Sequence, residues 1–470
     1  MNPAADLQVQ LSLGDPGAIS EQELGAWIQR QRWFGSKARD VGGFHVAAAI
    51  PLTVAPTLLA LLLVEARFRG GTHDIYQVLV GARPAEGDPG EEVITRAGDV
   101  EVFDALRDPD RSRALLGLIN DEQVVQAPRG TVSFHLMGEG PGLAEEPLVR
   151  ALDGEQSNSS IVFDERLVLK AFRRVEPGIN PELEMLRFLS EHGFEHIARP
   201  TGWYRYVGEL MGATLGVVQE FVSPARDGWD LALEAVSTGD PAFVQRLRDL
   251  GACTGALHAA LASDPDDPDF APEQPGDETL PLLIATIDAQ IERLFLGLPD
   301  LPALEPIAGR AGEVRDLLGL MAQVGTGGRL IRDHGDYHLG QTVLGPDGWV
   351  ILDFEGEPGR PLVERRRKRQ PLRDVAGMMR SFAYVASASE ILRERPAPAD
   401  WERSAREAFL AGYLAAVDAS LLPAGPAAIE RMLSVFELEK AIYELRYELN
   451  NRPDWVGVPV AGILRLLEQA

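Results

Sequence analysis

The sequence predicts an α+β fold of two lobes, one small and sheet-rich and one large and mainly helical, with a further α+β unit ahead of them. Three observations carry this prediction. Short strand patterns and a single helix fill residues 148–222. From about residue 225 the apolar spacing turns helical and stays so to the end. The first hundred residues read as a separate mixture of helix and hairpin. At 470 residues the chain is too long for one ordinary core, which fits two or three domains.

The first unit, residues 1–147, opens with a helix near 20–31 (SEQELGAWIQRQ) and the turn-like WFGSKARD at 33–40. Strands follow near 44–50, 57–68 and 75–82, with hairpin-type Gly pairs at 42–43 and 70–71. TLLALLLV at 57–64 is far too short to cross a bilayer and reads as a buried strand. A helix over 99–118 and a strand over 130–137 complete the unit. The second unit, 148–222, reads as strand, polar loop, strand, turn and strand, then a helix with Pro181 in its first turn and apolar Leu183, Leu186, Phe188 and Leu189. Strands at 202–207 and 213–222 close it. The third, 223–470, carries helices at 241–262, 279–297, 304–324, 371–390, 400–418 and 426–451. The acidic, Pro-rich segment at 264–278 reads as a solvated connector.

Lys plus Arg number 45 and Asp plus Glu 71, a net charge of −26, which argues against a nucleic-acid or anionic-membrane partner. The single cysteine, Cys253, rules out an intramolecular disulfide and suits a reducing cytoplasm; its apolar surroundings make it a small buried residue. The first ten residues lack the basic and apolar pattern of a signal peptide.

The chemistry is concentrated in HGDYHLGQ at 334–341 and VILDFE at 350–355. Asp336 and Gln341 lie five apart, the interval of the protein-kinase catalytic loop, and Asp353 follows twelve residues after Gln341. Phosphoryl transfer from ATP needs a base to orient the acceptor hydroxyl and metal ligands to neutralise the phosphates. Asp336 fits the base. The Gln341 amide oxygen and the Asp353 carboxylate suit Mg²⁺, which prefers hard oxygen donors. The two lobes then make a bilobal protein-kinase-like fold. Lys170, on the strand RLVLKAF, fits a lysine gripping the α- and β-phosphates and pairing with a helix glutamate; Glu184 is the expected partner and Glu182 its competitor. Gly154, Ser157, Asn158, Ser159 and Ser160 form a turn that either cradles phosphates or is an ordinary polar hairpin. Glu220 and Val222 stand where adenine would meet backbone groups.

His334 is expected to brace the loop backbone and is counted among the acceptor contacts; a metal site made of His334, Asp336 and His338 is the weaker reading. His258 reads as a core histidine. Glu355 reaches the site only if the chain turns, which Gly356 and Pro358 allow. The basic run ERRRKR at 364–369 is either a solvated loop or a counter-charge for phosphate. Asp374 opens a helix, where its charge favours the dipole. Tyr443, Glu444, Tyr447 and Glu448 share one broad face of the last helix: either a sugar-contacting face or a packed helix with a polar edge.

The stretches WFGSKAR, LVLKAFRRVEPGINPELE, HGDYHLGQ, ILDFEGEPGRPLVERRRKRQPLRDVAGMMRSFAY and YELNNRPDW together resemble the bacterial maltokinases, members of the aminoglycoside-phosphotransferase-like kinases. The resemblance implies an N-terminal cap at residues 1–100 and transfer of the ATP γ-phosphate to the anomeric hydroxyl of maltose. It implies Asp336 as base, Gln341 and Asp353 on Mg²⁺, Lys170 with Glu184 on the phosphates, and sugar contacts from the tail helix. A monomer or weak homodimer is expected. The alternatives are a glucosamine kinase or another small-molecule kinase of this kind, and a non-catalytic kinase-like binding module. The last is disfavoured because Asp336, Gln341 and Asp353 are all present.

Overall fold

The computed structural model describes residues 9–468 apart from 16, 18, 38, 56, 86, 89, 139–141, 153–156 and 322–326, so Gly154 lies outside the described residues. The chain divides into two compact units, residues 1–187 with 198–223, and 188–197 with 224–470.

In the first unit, helix α1 (Glu21–Arg30) starts on Ser20, whose hydroxyl accepts a hydrogen bond from the Glu23 N–H, and buries Leu24, Trp27 and Ile28. Strands β1 (Val41–Thr53), β2 (Leu59–Phe68), β3 (His73–Pro84), β4 (Val93–Ala97) and β5 (Val100–Asp104) form an antiparallel sheet in the order β1-β2-β3-β5-β4. The unbroken apolar run in β2 has a physical cause, because both faces of the strand are covered. Ala60, Leu62 and Val64 pack with Trp27 and Ile28 of α1. Leu59, Leu61 and Leu63 pack on the other side with Leu169, Tyr204 and Leu215.

The helix expected over 99–118 is instead strand β5, a short 3₁₀ turn and helix α2 (Pro109–Asn120). Val100 to Asp104 pair with β3, as their alternating valines favour. The helix waits for Pro109 at its first position, where Asp108 caps it by accepting from Arg111 N–H at 3.0 Å.

Strands β6 (Val124–Ala127), β7 (Gly130–Leu136), β8 (Val149–Ala151), β9 (Asn158–Phe163), β10 (Leu167–Phe172), β12 (Pro200–Gly208) and β13 (Gly212–Glu220) form a second antiparallel sheet, ordered β6-β7-β12-β13-β10-β9-β8. The short β11 (Arg174–Val175) leaves this sheet to pair with β3, tying the two sheets together. Helix α3 (Pro181–Glu191) follows β11.

The second unit is mainly helical: α4 (Gly228–Thr238), α5 (Ala242–Leu261), α6 (Thr279–Leu296), α7 (Ala311–Met321), the short α8 (Leu362–Arg365), α9 (Leu372–Arg393), α10 (Trp401–Ala416), α11 (Pro426–Asn451) and α12 (Gly457–Glu468). A small sheet joins β14 (Arg226–Asp227), β15 (Thr342–Gly345) and β16 (Gly348–Ile351). Helices α5 and α10 pack backbone to backbone: a Cβ on Gly251 would stand 2.0 Å from the Phe409 carbonyl oxygen, and one on Gly412 would stand 1.9 Å from that of Arg248. Ile287, Ile291, Leu317, Leu438, Leu445 and Ile463 share one core. Helices α4 and α12 were not anticipated.

The 264–278 segment joins α5 and α6 and is mostly exposed, as expected, but it is pinned to the fold at particular points. Phe270 is 3% exposed and stacks on Phe188 at 3.7 Å. Lys368 of the basic run donates to Pro268 O and to Glu273 Oε1, each at 2.8 Å, and Arg366 lies 3.5 Å from Asp269. The run of positive charge fastens the acidic segment. Among the described residues, no helix is long and apolar enough to cross a membrane.

Candidate active site

Asp336 sits in a loop whose backbone is held from behind. The buried Asp374, two residues into α9 after Leu372, accepts from His334 N–H at 2.8 Å and Gly335 N–H at 3.0 Å. Its Oδ2 also meets His258 Nε2 at 3.1 Å, and His258 Nδ1 lies 3.0 Å from the Tyr413 hydroxyl. Burial opposes the Asp374 charge, but His258, His334 and the backbone donors outweigh it and hold the carboxyl below its ordinary range. Gly335 takes φ +83°, a left-handed turn that glycine adopts without cost. Tyr337, the next side chain after Asp336, is buried and its hydroxyl meets Thr254 Oγ1 at 2.8 Å.

His334 is 1% exposed. Its Nε2 donates to Leu352 O at 2.9 Å and its Nδ1 accepts from Asp336 N–H at 3.4 Å, so it braces the loop and joins it to the segment after β16 that bears Asp353. The same burial corrects its placement among the acceptor contacts: both ring nitrogens are engaged inside the protein. His338 has its Nδ1 on Gly340 N–H, and burial pushes its pKa down.

Gln341 and Asp353 come together as the spacing suggested. Gln341 Nε2 donates to Asp353 Oδ2 at 3.0 Å, and Gln341 O accepts from Leu352 N–H at 2.9 Å. Asp353 takes φ +62°, a conformation a non-glycine residue holds only when its surroundings enforce it. Gln341 and Asp353 thus set an amide and a carboxylate side by side, a pair of oxygen-bearing groups that could hold Mg²⁺ with the amide oxygen turned to the ion. Glu355 follows the turn, its carbonyl accepting from Arg365 Nη1 at 3.1 Å.

In the first unit, Lys170 is 5% exposed and donates to Glu182 Oε2 at 3.3 Å. The carboxylate facing the lysine is therefore the competitor, where Glu184 had been expected. Asn180 accepts from Glu182 N–H at 2.8 Å and fixes it in the first turn of α3. Ser160 pairs with Lys170 across β9 and β10 and shares its face, whereas Ser159 pairs with Ala171, faces the other way and accepts from Arg173 Nε at 2.7 Å. Ser157 lies just before β9, half-buried. Glu220 ends β13 with its N–H on Arg199 O at 2.8 Å, and Val222 follows two residues on, half-buried.

A cavity of about 450 Å³ opens beside Asp336 within the second unit. Gly335, Tyr337, Glu357, Arg360, Lys440 and Tyr443 are among its walls. Of the four tail residues expected on one sugar-facing surface, only Tyr443 lines it. Glu444 turns inward to Arg380 Nη2 at 2.7 Å, and Glu448 accepts from the Tyr384 hydroxyl at 3.1 Å and Arg452 Nη2 at 2.7 Å. Tyr447 is 40% exposed under the Arg452 guanidinium. Both glutamates are packed on α9, because α11 buries the face they share. Sequence reasoning missed Lys440, which lies one turn before the expected face, and missed the Asp374 brace, whose aspartate read only as a helix-dipole charge.

Residues 148–416 match the phosphotransferase enzyme family, and residues 27–108 match the maltokinase N-terminal cap domain. The chain belongs to the phosphotransferase enzyme family. It is similar to a glucosamine kinase of Streptacidiphilus jiangxiensis, 28% identical over 342 residues that make up 68% of this chain and 74% of that protein. A glucosamine kinase of Mycolicibacterium smegmatis is 27% identical over 333 residues, 68% of this chain and 80% of the other. A solved glucosamine kinase in complex with glucosamine, ADP and inorganic phosphate superposes with a TM-score of 0.68 at 21% identity, covering 90% of this chain and 95% of that one, and so shares its fold.

Proposed function

We propose that the chain is an ATP-dependent kinase that phosphorylates maltose at its anomeric hydroxyl, giving maltose 1-phosphate and ADP in the cytoplasm for α-glucan synthesis. The observation that carries the reading is the braced loop that presents Asp336 beside a polar cavity, in a chain whose first part matches the cap named for maltokinases.

In this reading Asp336 accepts a hydrogen bond from the attacking hydroxyl and orients it for direct in-line displacement at the γ-phosphorus. No phosphoenzyme forms. Gln341 and Asp353 would hold Mg²⁺, which when bound would neutralise charge on the phosphates. Lys170, kept in place by Glu182, orients the α- and β-phosphates, with Ser157 and Ser160 on the preceding turn and strand. Backbone groups at Glu220 and Val222 meet the adenine. Tyr443 offers an aromatic face to the sugar, and Glu355 lies at the turn after Asp353.

The second reading, a glucosamine kinase, is favoured by the names of the relatives at 28% and 27% identity. ADP release measured with maltose, glucosamine and an aminoglycoside decides between them. The proposal expects turnover on maltose well above the other two; robust turnover on glucosamine with none on maltose would replace it.

A further inference from the structure

Asp336 is not a bare carboxylate. Lys440 of α11 donates to Asp336 Oδ1 at 3.3 Å and lies 3.8 Å from Glu357 Oε1. Burial works against the lysine's charge, yet Asp336 and Glu357 outweigh it and raise its pKa, so it stays an ammonium. Two carboxylates of the neighbouring cavity wall are also opposed by cations. Glu357 pairs with Arg360, and Glu439 pairs with Arg373 at 2.8 Å. Asp333 is buried with neither carboxylate oxygen hydrogen-bonded, and burial pushes its carboxyl up, away from the anionic form. Glu364 and Asp374 are the remaining acidic wall residues, Asp374 already holding the His334 and Gly335 N–H groups and His258, and Arg446 adds a further cation.

We infer that Lys440 sets the charge class of the acceptor, so that the cavity takes an uncharged polyol and disfavours a sugar bearing an ammonium. The inference rests on the reading of Asp336 as the acceptor's partner and deepens it. An amino sugar gains most from a carboxylate that no cation already faces, and at Asp336 a protein ammonium occupies that position. Two like charges in a partly desolvated cavity repel each other more strongly than in water. A neutral hydroxyl meets no such opposition. It can donate to Asp336 while a neighbouring oxygen accepts one of the three ammonium hydrogens of Lys440, so both groups are satisfied. Specificity then comes as much from the repulsive element as from the attractive one.

The test compares glucose with glucosamine, which differ by a hydroxyl against an ammonium at one ring carbon, alongside maltose. kcat/KM is read by ADP release, and binding by saturation-transfer NMR, in the wild type, Lys440→Met and Lys440→Arg. Lys440→Met is expected to lower kcat/KM on neutral sugars and to raise the glucosamine-to-glucose ratio by about tenfold or more; Lys440→Arg should keep the wild-type ratio. A purely structural lysine would depress both sugars alike, and an unchanged ratio in a folded Lys440→Met protein overturns the inference. Should that variant not fold, the wild type answers instead: its affinity for glucosamine relative to glucose should rise as pH climbs through the amine's own pKa, and a flat or falling ratio overturns the inference. Wild-type inactivity on maltose with the ratio shift intact would remove maltose alone.

Discussion

Replacing Asp374 should show how much of the Asp336 loop depends on one buried carboxylate. Asp374 accepts three hydrogen bonds, from His334 N–H at 2.8 Å, Gly335 N–H at 3.0 Å and His258 Nε2 at 3.1 Å. Asp374→Ala leaves three buried donors without an acceptor. At the low end of about 1–3 kcal/mol for each unsatisfied group the loss is about 3 kcal/mol, in keeping with the ~3–5 kcal/mol seen when one partner of a buried charged pair is removed. Asp374→Asn keeps one oxygen and turns an amide donor toward the others, so about half that loss is expected. Denaturant midpoints read the stability. ADP release should read a fall in kcat of about 10- to 100-fold, because the loop bearing Asp336 loses its register. The pH dependence has a definite sign. A carboxyl whose pKa is lowered in the fold contributes stability that is complete above its ordinary value of about 4 and disappears as pH falls through the folded value. The wild-type advantage over Asp374→Asn should therefore vanish in strong acid and persist at neutral pH. An Asp374→Ala protein within about 0.5 kcal/mol of wild type would refute the reasoning.

Lys170→Met should weaken ATP binding by about 10-fold or more by calorimetry while leaving sugar binding in place, since the buried lysine serves only the nucleotide in this account. Glu182→Gln should follow it, and Glu184→Gln should cost less; the reverse order would restore Glu184 as the partner. Glu444→Gln should destabilise the protein by about 3 kcal/mol, because Arg380 is 1% exposed and faces it at 2.7 Å, with little change in KM for the sugar. A large rise in KM with unchanged stability would return Glu444 to the sugar site.

Among the helices of the second unit, α11 spans the 426–451 expected of it. The signals for α4 and α2 were local caps rather than periodicity. Asp227 accepts from Asp230 N–H, Gly239 ends α4 at φ +70°, and an Asp-Pro pair opens α2. Helix α12 hid behind its Gly and Pro punctuation. In the site, spacing along the chain brought Gln341 and Asp353 together because one hairpin joins them. It could not show which way α11 turns. Tyr443, Glu444, Tyr447 and Glu448 share a helical face, but only packing on α9 decides that the two glutamates go inward and that Lys440 meets Asp336. Nor could it bring Asp374 to the loop 40 residues before it, since that contact depends on α9 docking.

The central claim is that Asp336 orients the acceptor hydroxyl, and Asp336→Asn assayed with maltose and ATP tests it most directly. The account predicts a kcat lower by about 10²- to 10⁴-fold with ATP affinity retained. Turnover equal to that of the wild type would contradict it.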